Sequence, residues 1–461
     1  MNNKKESTMN NHLVFFALLL TAVLYSMRNM ATPSIEQVNQ LGGDVFTPVG
    51  AEKQANKTGD IPAWTGGLTQ PPAGWKSPDK LITPFPDDQP IDVINNDTYQ
   101  KFAGHLTPGQ IKLLQLYPTT YHMPIYKTRR TAAYPERVYQ DIKTKALQSK
   151  LVDAGNGLEK FTSNVPFPFP ENGVEVIWNH IVRFRGTNSI KRTYSQIAVQ
   201  RNGDFRPVIF QEFASWGREL YGEDTQVVML FWQNILAPSR LEGEKILVHE
   251  TLNQQMSPRQ VWLYSPGQRR VRRAPSIAYD DVAFASDGLR TADDVDLYNG
   301  SPDRYSWTLV GKKEIYIPYN SYQILDGSLK YKDVVKQGHL APEFLRYELH
   351  RVWVVDAQLK SDKRHVYKRR TFYIDEDTWQ IALVDHYDNH DQLWKFKEAH
   401  PLMHYSQAVP WLAAEVIYDL YSGRYLVVGL DNELTGYQYD WTYRAGSKDY
   451  TPSALRRSAN H

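Results

Sequence analysis

The chain has 461 residues, 41% of them apolar and 23% charged, with 53 Lys and Arg against 51 Asp and Glu and no cysteine. That length suits two or three domains, or one large β domain with additions, and it can bury a sizeable core. A formal net charge of +2 gives no field to hold nucleic acid, and the lack of cysteine excludes disulfides, thiolate metal sites, a cysteine nucleophile and a lipid-anchored N-terminal cysteine.

Residues 1–31 read as a secretory signal peptide, with Lys4 and Lys5 before an apolar run from Leu13 to Tyr25 that is too short for a comfortable membrane span. Asn29 is large for a cleavage site and Arg28 follows the apolar run, so an uncleaved anchor is the alternative. Without the leader the chain is near neutral, because Lys4, Lys5 and Arg28 leave together with Glu6. Residues 32–93 are rich in Pro and Gly after a short helix capped by Ser34. They predict an extended arm over the body, since Ile61, Trp64 and Trp75 need a surface on which to bury.

Residues 94–190 carry helical signals. Thr107-Pro108 supplies a cap and a first-turn proline before Ile111, Leu113, Leu114 and Leu116. Pro135-Glu136 opens a second helix, and Val174 to Phe184 a third with Val174, Ile177, Trp178 and Ile181 on one stripe. His180 beside that stripe reads as structural.

From residue 191 to 435 the period changes to two, with 29 Tyr and 12 Trp in the chain favouring strands. Runs around Ile197, Phe210, Val227–Leu236, Ile246, Tyr347–Ala357, Val366–Ile374, Gln380–Tyr387, Gln392–Ala399, Val416–Tyr421 and Tyr425–Leu430 predict an antiparallel meander. Residues 436–461 read as a polar, partly loose tail.

The stretch from Arg259 to Tyr319 organises the rest. Val261-Trp262-Leu263-Tyr264, the turn Ser265-Pro266-Gly267-Gln268 and then Arg269, Arg270, Arg272 and Arg273 predict a hairpin, with Gly267 supplying the positive turn dihedral. Residues 276–298 are too long and too weakly periodic for a mere connector and predict a lid or binding loop, with Gly288 as a hinge. Its aspartates, Asp280 to Asp296, with Asp303 beyond, leave two readings of the arginines. One is an internal Arg/Asp network that ties the loop over the sheet. The other is an anion site for a lipid head group or an acidic partner.

Enzyme signatures are mostly missing: there is no G-x-S-x-G elbow, and His249-Glu250 lacks the second histidine of a zinc motif. The run from Asp385 to Asp391, with His386 and His390, is the one weak metal candidate, at a predicted hairpin tip where Asp and Asn favour turns by themselves. No catalytic residue and no cofactor is assigned.

The runs WLYSPGQRRVRRAP, NGSPDRY-W (Asn299, Asp303, Arg304, Tyr305 and Trp307) and GKKEIYIPYN resemble the signature blocks of the DUF1329 family, as do TPVGAEK, IPAWTGG, YPTT, RTAAYP, IWNH and GLDNE. Members are secreted proteins of Gram-negative bacteria, often labelled as outer-membrane lipoprotein-sorting proteins. The resemblance implies a mainly β fold with added helices: a LolA/LolB-like, curved antiparallel half-barrel sheet around an apolar cavity, with helical N-terminal segments and a long lid loop. Three functions follow. The first is a periplasmic, non-enzymatic carrier or chaperone for a lipid, a lipoprotein acyl chain or another hydrophobic compound. Trp262 and Tyr264 would line its cavity, while Arg269 to Arg273 and Arg304 would meet the polar end of the ligand or a membrane partner; the resemblance adds a membrane exporter or outer-membrane protein as partner. The second is a structural adaptor with a self-filled cavity, docking an envelope protein. The third is a hydrolase or metal enzyme using the Asp385–Asp391 run.

Overall fold

The computed structural model describes residues 34–274 and 277–458, so the predicted leader lies outside the described residues. Sixteen strands form one sheet, apart from a small two-stranded ribbon at residues 151–158. In chain order they are β1 (Asp92–Ile94), β2 (Met123–Ile125), β3 (Ser189–Val199), β4 (Phe205–Trp216), β5 (Val227–Ala237), β6 (Lys245–Thr251), β7 (Gln260–Ser265) and β8 (Arg270–Arg273). They continue as β9 (Tyr305–Pro318), β10 (Tyr347–Leu359), β11 (Arg369–Asp375), β12 (Ile381–Tyr387), β13 (Leu393–His404), β14 (Val409–Asp419), β15 (Arg424–Val428) and β16 (Tyr439–Asp440). Two antiparallel meanders, β3 to β8 and β9 to β15, are joined where β15 pairs with β3 (Tyr425 opposite Val199). The long edges are therefore β8 and β9, and the sheet does not close.

The predicted helices stand where their caps place them. They are α1 (Ile35–Asn39) on Ser34, α2 (Pro108–Leu116) on Thr107, α3 (Glu136–Lys145) after Pro135 and α4 (Gly173–Val182) on Asn172. Gly109 in α2 has no room for a side chain, because a Cβ would run into Phe396 and Asp385 of the sheet beneath it. A short α5 (Gly217–Tyr221) follows β4, and α6 (Tyr331–Val334) lies between β9 and β10.

The placement of α4 requires a curved sheet. Its first residue, Gly173, meets Val355 of β10, and its last, Val182, shares a small cleft with Trp216 of β4 and Val228 of β5. Along the sheet, β4 is the seventh strand from β10. At about 4.8 Å per strand a flat sheet would separate them by roughly 34 Å, whereas a ten-residue helix spans only about 15 Å. The sheet is curled around α4, and the face that α4 touches is the inner one.

Strand alternation divides the core. Val248, Val261, Phe372, Val384 and Ala399 face inward beneath α4, whereas Tyr373, Leu383, Phe396, Val416 and Tyr418 face outward beneath α2 and residues 319–346. The arm residue Ile61 is buried, and the Trp64 indole donates to the Ala132 carbonyl at 3.0 Å.

Three details differ from expectation. The tail is not loose: Thr451 caps a helix, α7 (Pro452–Arg457), which buries Leu455 beside Tyr450, Leu247 and Tyr264 on the outer face. In the β7–β8 hairpin, Arg270 pairs opposite Ser265, so the turn holds four residues and its positive φ falls at Arg269 (49°), not at Gly267. Strand β13 passes Ala399 through a bulge at His400 and Pro401, which accommodates the proline where the period-two pattern breaks.

Candidate binding cleft on the inner face

The segment from residue 277 to 304 leaves the β8 edge, crosses the inner face and returns to the chain at β9. It buries Leu289, Leu297 and Tyr298 against the sheet and is anchored by many polar groups. Gln196 of β3 donates to the carbonyls of Phe284 (3.3 Å) and Ala285 (2.5 Å), Lys395 of β13 to that of Leu289 (2.8 Å), and Lys397 to those of Asp294 (2.6 Å) and Leu297 (3.1 Å). Arg259 is bound to Glu250 at 2.8 Å and donates to the carbonyls of Ala292 and Asn299. Five non-glycine residues of the segment hold left-handed backbone: Tyr279, Ala285, Asp287, Asp296 and Leu297. Each costs about 1–2 kcal/mol, so the path is imposed by its anchors.

The centre of attachment is the run Asp293-Asp294-Val295-Asp296. Asp293 accepts from Arg370 (3.0 Å), His365 (3.1 Å) and Thr291 (2.7 Å). Asp294 accepts from the Tyr367 hydroxyl (3.0 Å) and lies 3.6 Å from the Lys397 ammonium. Asp296 receives Arg183 (2.7 Å) and Arg185 (2.9 Å) from just beyond α4, and its carbonyl accepts from His180 at 2.9 Å. Burial alone would raise these three carboxyls, but Arg370 with the His365 hydrogen bond, Lys397, and the Arg183–Arg185 pair hold them well below the usual carboxylate range. Burial and the Arg183 charge push the His180 imidazole down to about 3, so it is neutral and structural.

The Arg/Asp network therefore exists, but the hairpin arginines are not its cations. Arg269, Arg270, Arg272 and Arg273 are all exposed, and none forms an ion pair among the described residues. Of the predicted arginines only Arg304 pairs with the segment, at 3.0 Å from Asp280 and stacked on Tyr279. Asn299 donates to Glu250 at 3.1 Å, Asp303 accepts from Tyr279 at 2.9 Å, Tyr305 donates to the Tyr367 carbonyl and Trp307 to that of Pro302. All four hold the return of the segment in place. Trp262 and Tyr264 do not line the inner face. Their neighbours Val261 and Leu263 point inward, so alternation turns the two aromatics outward, beneath α7.

Alternation also takes apart the Asp385–Asp391 run. Asp385 faces outward, accepting from the Gly109 amide (2.9 Å) at the start of α2 and from the Tyr373 hydroxyl (3.2 Å), and burial pushes its carboxyl up to about 7. His386 faces inward, 3.7 Å from Asp294, and His390 is exposed in the turn, where Asp388 accepts from its amide. A different trio, His350, Asp375 and Asp377, brings donor atoms within 4.8 Å of one another. Arg130 already takes both Asp377 oxygens at 2.6 and 2.8 Å and donates to the Glu52 carbonyl at 2.8 Å, and Thr378 binds Asp375 at 2.7 Å, so these groups clasp the arm to the end of β11.

Beside the segment, over β3 to β5 and β14, remains a cleft of about 110 Å³. Trp216, Met229, Phe231, Trp411 and Leu412 form its apolar wall, and Arg183, Arg185, Arg192 and Arg290 stand against Glu212, Asp296 and Glu415. Ligand pockets for drug-sized molecules run to about 300–1,000 Å³, so this cleft as it stands admits a head group or a short chain. Sequence reasoning missed these residues, because they come from strands, from the end of α4 and from the segment.

Among the described residues no helix is long and apolar enough to cross a membrane. A protein of Pseudomonas aeruginosa described as "Uncharacterized protein PA3922" is 48% identical over 443 residues, covering 95% of this chain and 97% of that protein. Solved structures similar to this chain include a Vibrio parahaemolyticus domain labelled for outer membrane lipoprotein sorting (14% identity, 62% of this chain and 98% of that one, TM-score 0.43). A DUF1329 family protein from Desulfovibrio piger (15%, 59% and 92%, TM-score 0.40) and a LolA superfamily protein from Nitrosomonas europaea (10%, 61% and 98%, TM-score 0.36) are also similar. The family model described as "Protein of unknown function (DUF1329)" matches residues 93–456, and the chain belongs to that family.

Proposed function

We propose that this protein is a non-enzymatic carrier or chaperone of the Gram-negative periplasm, which receives a lipid, a lipoprotein acyl chain or another hydrophobic compound on the inner face of its open sheet. The observation that carries this reading is the 277–304 segment, a strained cover fixed to the inner face by charges and backbone carbonyls beside a cleft with an apolar wall. A cover of this kind can leave as a unit, and its departure enlarges the cleft towards the size of a long chain. Gly288, with φ of 77°, follows the exposed Asp287, which is paired with Arg424. Burying a chain is worth about 0.8 kcal/mol per methylene, enough to offset the loss of several polar anchors. The free arginines of the β8 edge would meet the anionic surface of a donor or acceptor membrane or an envelope protein.

One observation favours a second reading, a structural adaptor: the inner face is already occupied by the protein's own side chains. Native mass spectrometry with lipid extraction, on protein purified from the periplasm without detergent, separates the two. A co-purifying long-chain species near one-to-one stoichiometry is expected. A bare mass that stays bare after incubation with lipid extract contradicts the carrier and leaves the adaptor.

A further inference from the structure

The cations of the cleft are not equally answered. Arg192 is paired with Glu212 at 2.7 Å, and Arg183 and Arg185 share Asp296. Glu415 lies 3.4 Å from Lys397. Arg290, nine-tenths buried, is left with the neutral Gln196 amide oxygen at 3.1 Å and with Glu415 at 3.6 Å, beyond hydrogen-bonding length. Its Nε has no partner, and neither has the Nε of Arg185, which stacks on Trp216 at 4.9 Å. The lining thus holds four arginines against three carboxylates, and two of its buried guanidinium Nε donors are without a partner. A buried, unmet guanidinium N–H is costly, and the group that best answers it is a bidentate oxyanion. Burial and the neighbouring Arg183 also pull the Arg185 guanidinium down to about 10, the mark of a cation short of counter-charge.

We infer that the cleft is a site for an oxyanion, carboxylate or phosphate, carried on an apolar body, with Arg290 as the residue that recognises the charge. This rests on the carrier reading and names its ligand class. The apolar part would lie against Trp216, Phe231 and Trp411, which stand on the same side of the sheet as the arginines. Because Arg290 belongs to the 277–304 segment whereas Arg185 follows α4, an anion between them would tie the cover to the body. The ligand that the protein accepts is then also the one that closes it.

The test titrates the full mature chain with dodecyl phosphate, dodecanoate, dodecanol and inorganic phosphate, each below micelle formation, by calorimetry and by tryptophan fluorescence. At least one of the two anionic amphiphiles is expected to bind about tenfold or more tightly than dodecanol, since a charge-assisted bidentate contact is about twice as strong as a neutral one. The ratio between the two identifies the head group. Arg290→Gln is expected to lower that affinity to the level of dodecanol without changing dodecanol itself. Should Arg290→Gln melt early, Arg290→Lys keeps the charge but loses the fork and should fall between the two. Equal binding of dodecanol and the anions, or an unchanged preference in Arg290→Gln, overturns the anion assignment and leaves the carrier standing. Inorganic phosphate binding as tightly as dodecyl phosphate overturns the apolar body. If none of the four binds, both the assignment and the carrier reading fall.

Discussion

On the outer face of the sheet, α2 and residues 319–346 are held by Leu113, Ile324, Val334, Leu340 and Leu345, all fully buried. On the inner face, the 277–304 segment is held by Arg370, Lys395, Lys397, Arg183 and Arg185 acting on its carboxylates and carbonyls. The two covers differ in how they can be lost. Apolar stabilisation follows the area buried, whereas removing one partner of a buried ion pair leaves the other charge buried and uncompensated. The outer cover is thus held by apolar contacts, and the inner cover adds a set of buried polar anchors to its own apolar contacts at Leu289, Leu297 and Tyr298.

Breaking the inner attachment is expected to have the largest effect. Arg370→Ala leaves Asp293 and Asp294 without their shared guanidinium and should cost about 3–5 kcal/mol in urea unfolding. On the outer face, Leu113→Ala should cost about 2–5 kcal/mol, through lost burial and a cavity. The sharper distinction is reversal: Arg370→Met combined with Asp293→Leu should recover most of the loss, because an apolar pair replaces an ionic one.

Acidity separates the faces next. Asp385, on the outer face, has its carboxyl raised by burial to about 7 in the folded protein, so the fold holds that proton more tightly than the unfolded chain does. Its stabilising contribution is complete below about pH 4 and is lost as pH rises towards 7. Asp385→Asn keeps the acceptor for the Gly109 amide, and should stabilise the protein by about 1–3 kcal/mol at pH 8 and by almost nothing at pH 4. Asp293, Asp294 and Asp296 behave in the opposite sense. Their carboxyls are lowered, so their contribution is complete above about pH 4 and is lost only as pH falls below it. Thermal melts of Asp385→Asn and of the unaltered protein between about pH 2 and 8 check this.

The smallest effect belongs to the hairpin. Arg270→Ala with Arg272→Ala should change stability by no more than about 0.5 kcal/mol, because both side chains are exposed. Loss of binding to anionic vesicles in the same variant would give these arginines the docking role.

What could be read from the chain was local. The caps Ser34 and Thr107 and the Pro at the start of α2 announce their helices within four residues, and α7 carries the same Thr-Pro signal at Thr451-Pro452 in a piece too short to show a period. The aspartates of the segment were visible, and so was their need for arginines. Their partners were not, since Arg370, Arg183 and Arg185 lie 77, 113 and 111 residues away in sequence. The facing of Trp262 and Tyr264 was hidden for another reason: β7 is apolar on both sides, so its pattern does not say which side is inward. The cleft combines both difficulties, drawing each wall from a different strand.

Hydrogen exchange of the two covers in one native-state experiment tests the proposed release of the inner cover most directly. Amides of the 277–304 segment, such as Ala283, Leu289 and Asn299, should exchange through a local opening well below the global unfolding free energy. Those of the outer cover, such as Leu325 and Val335, should exchange only with global unfolding. Equal protection of the two, with both covers opening only when the whole sheet unfolds, would contradict the account.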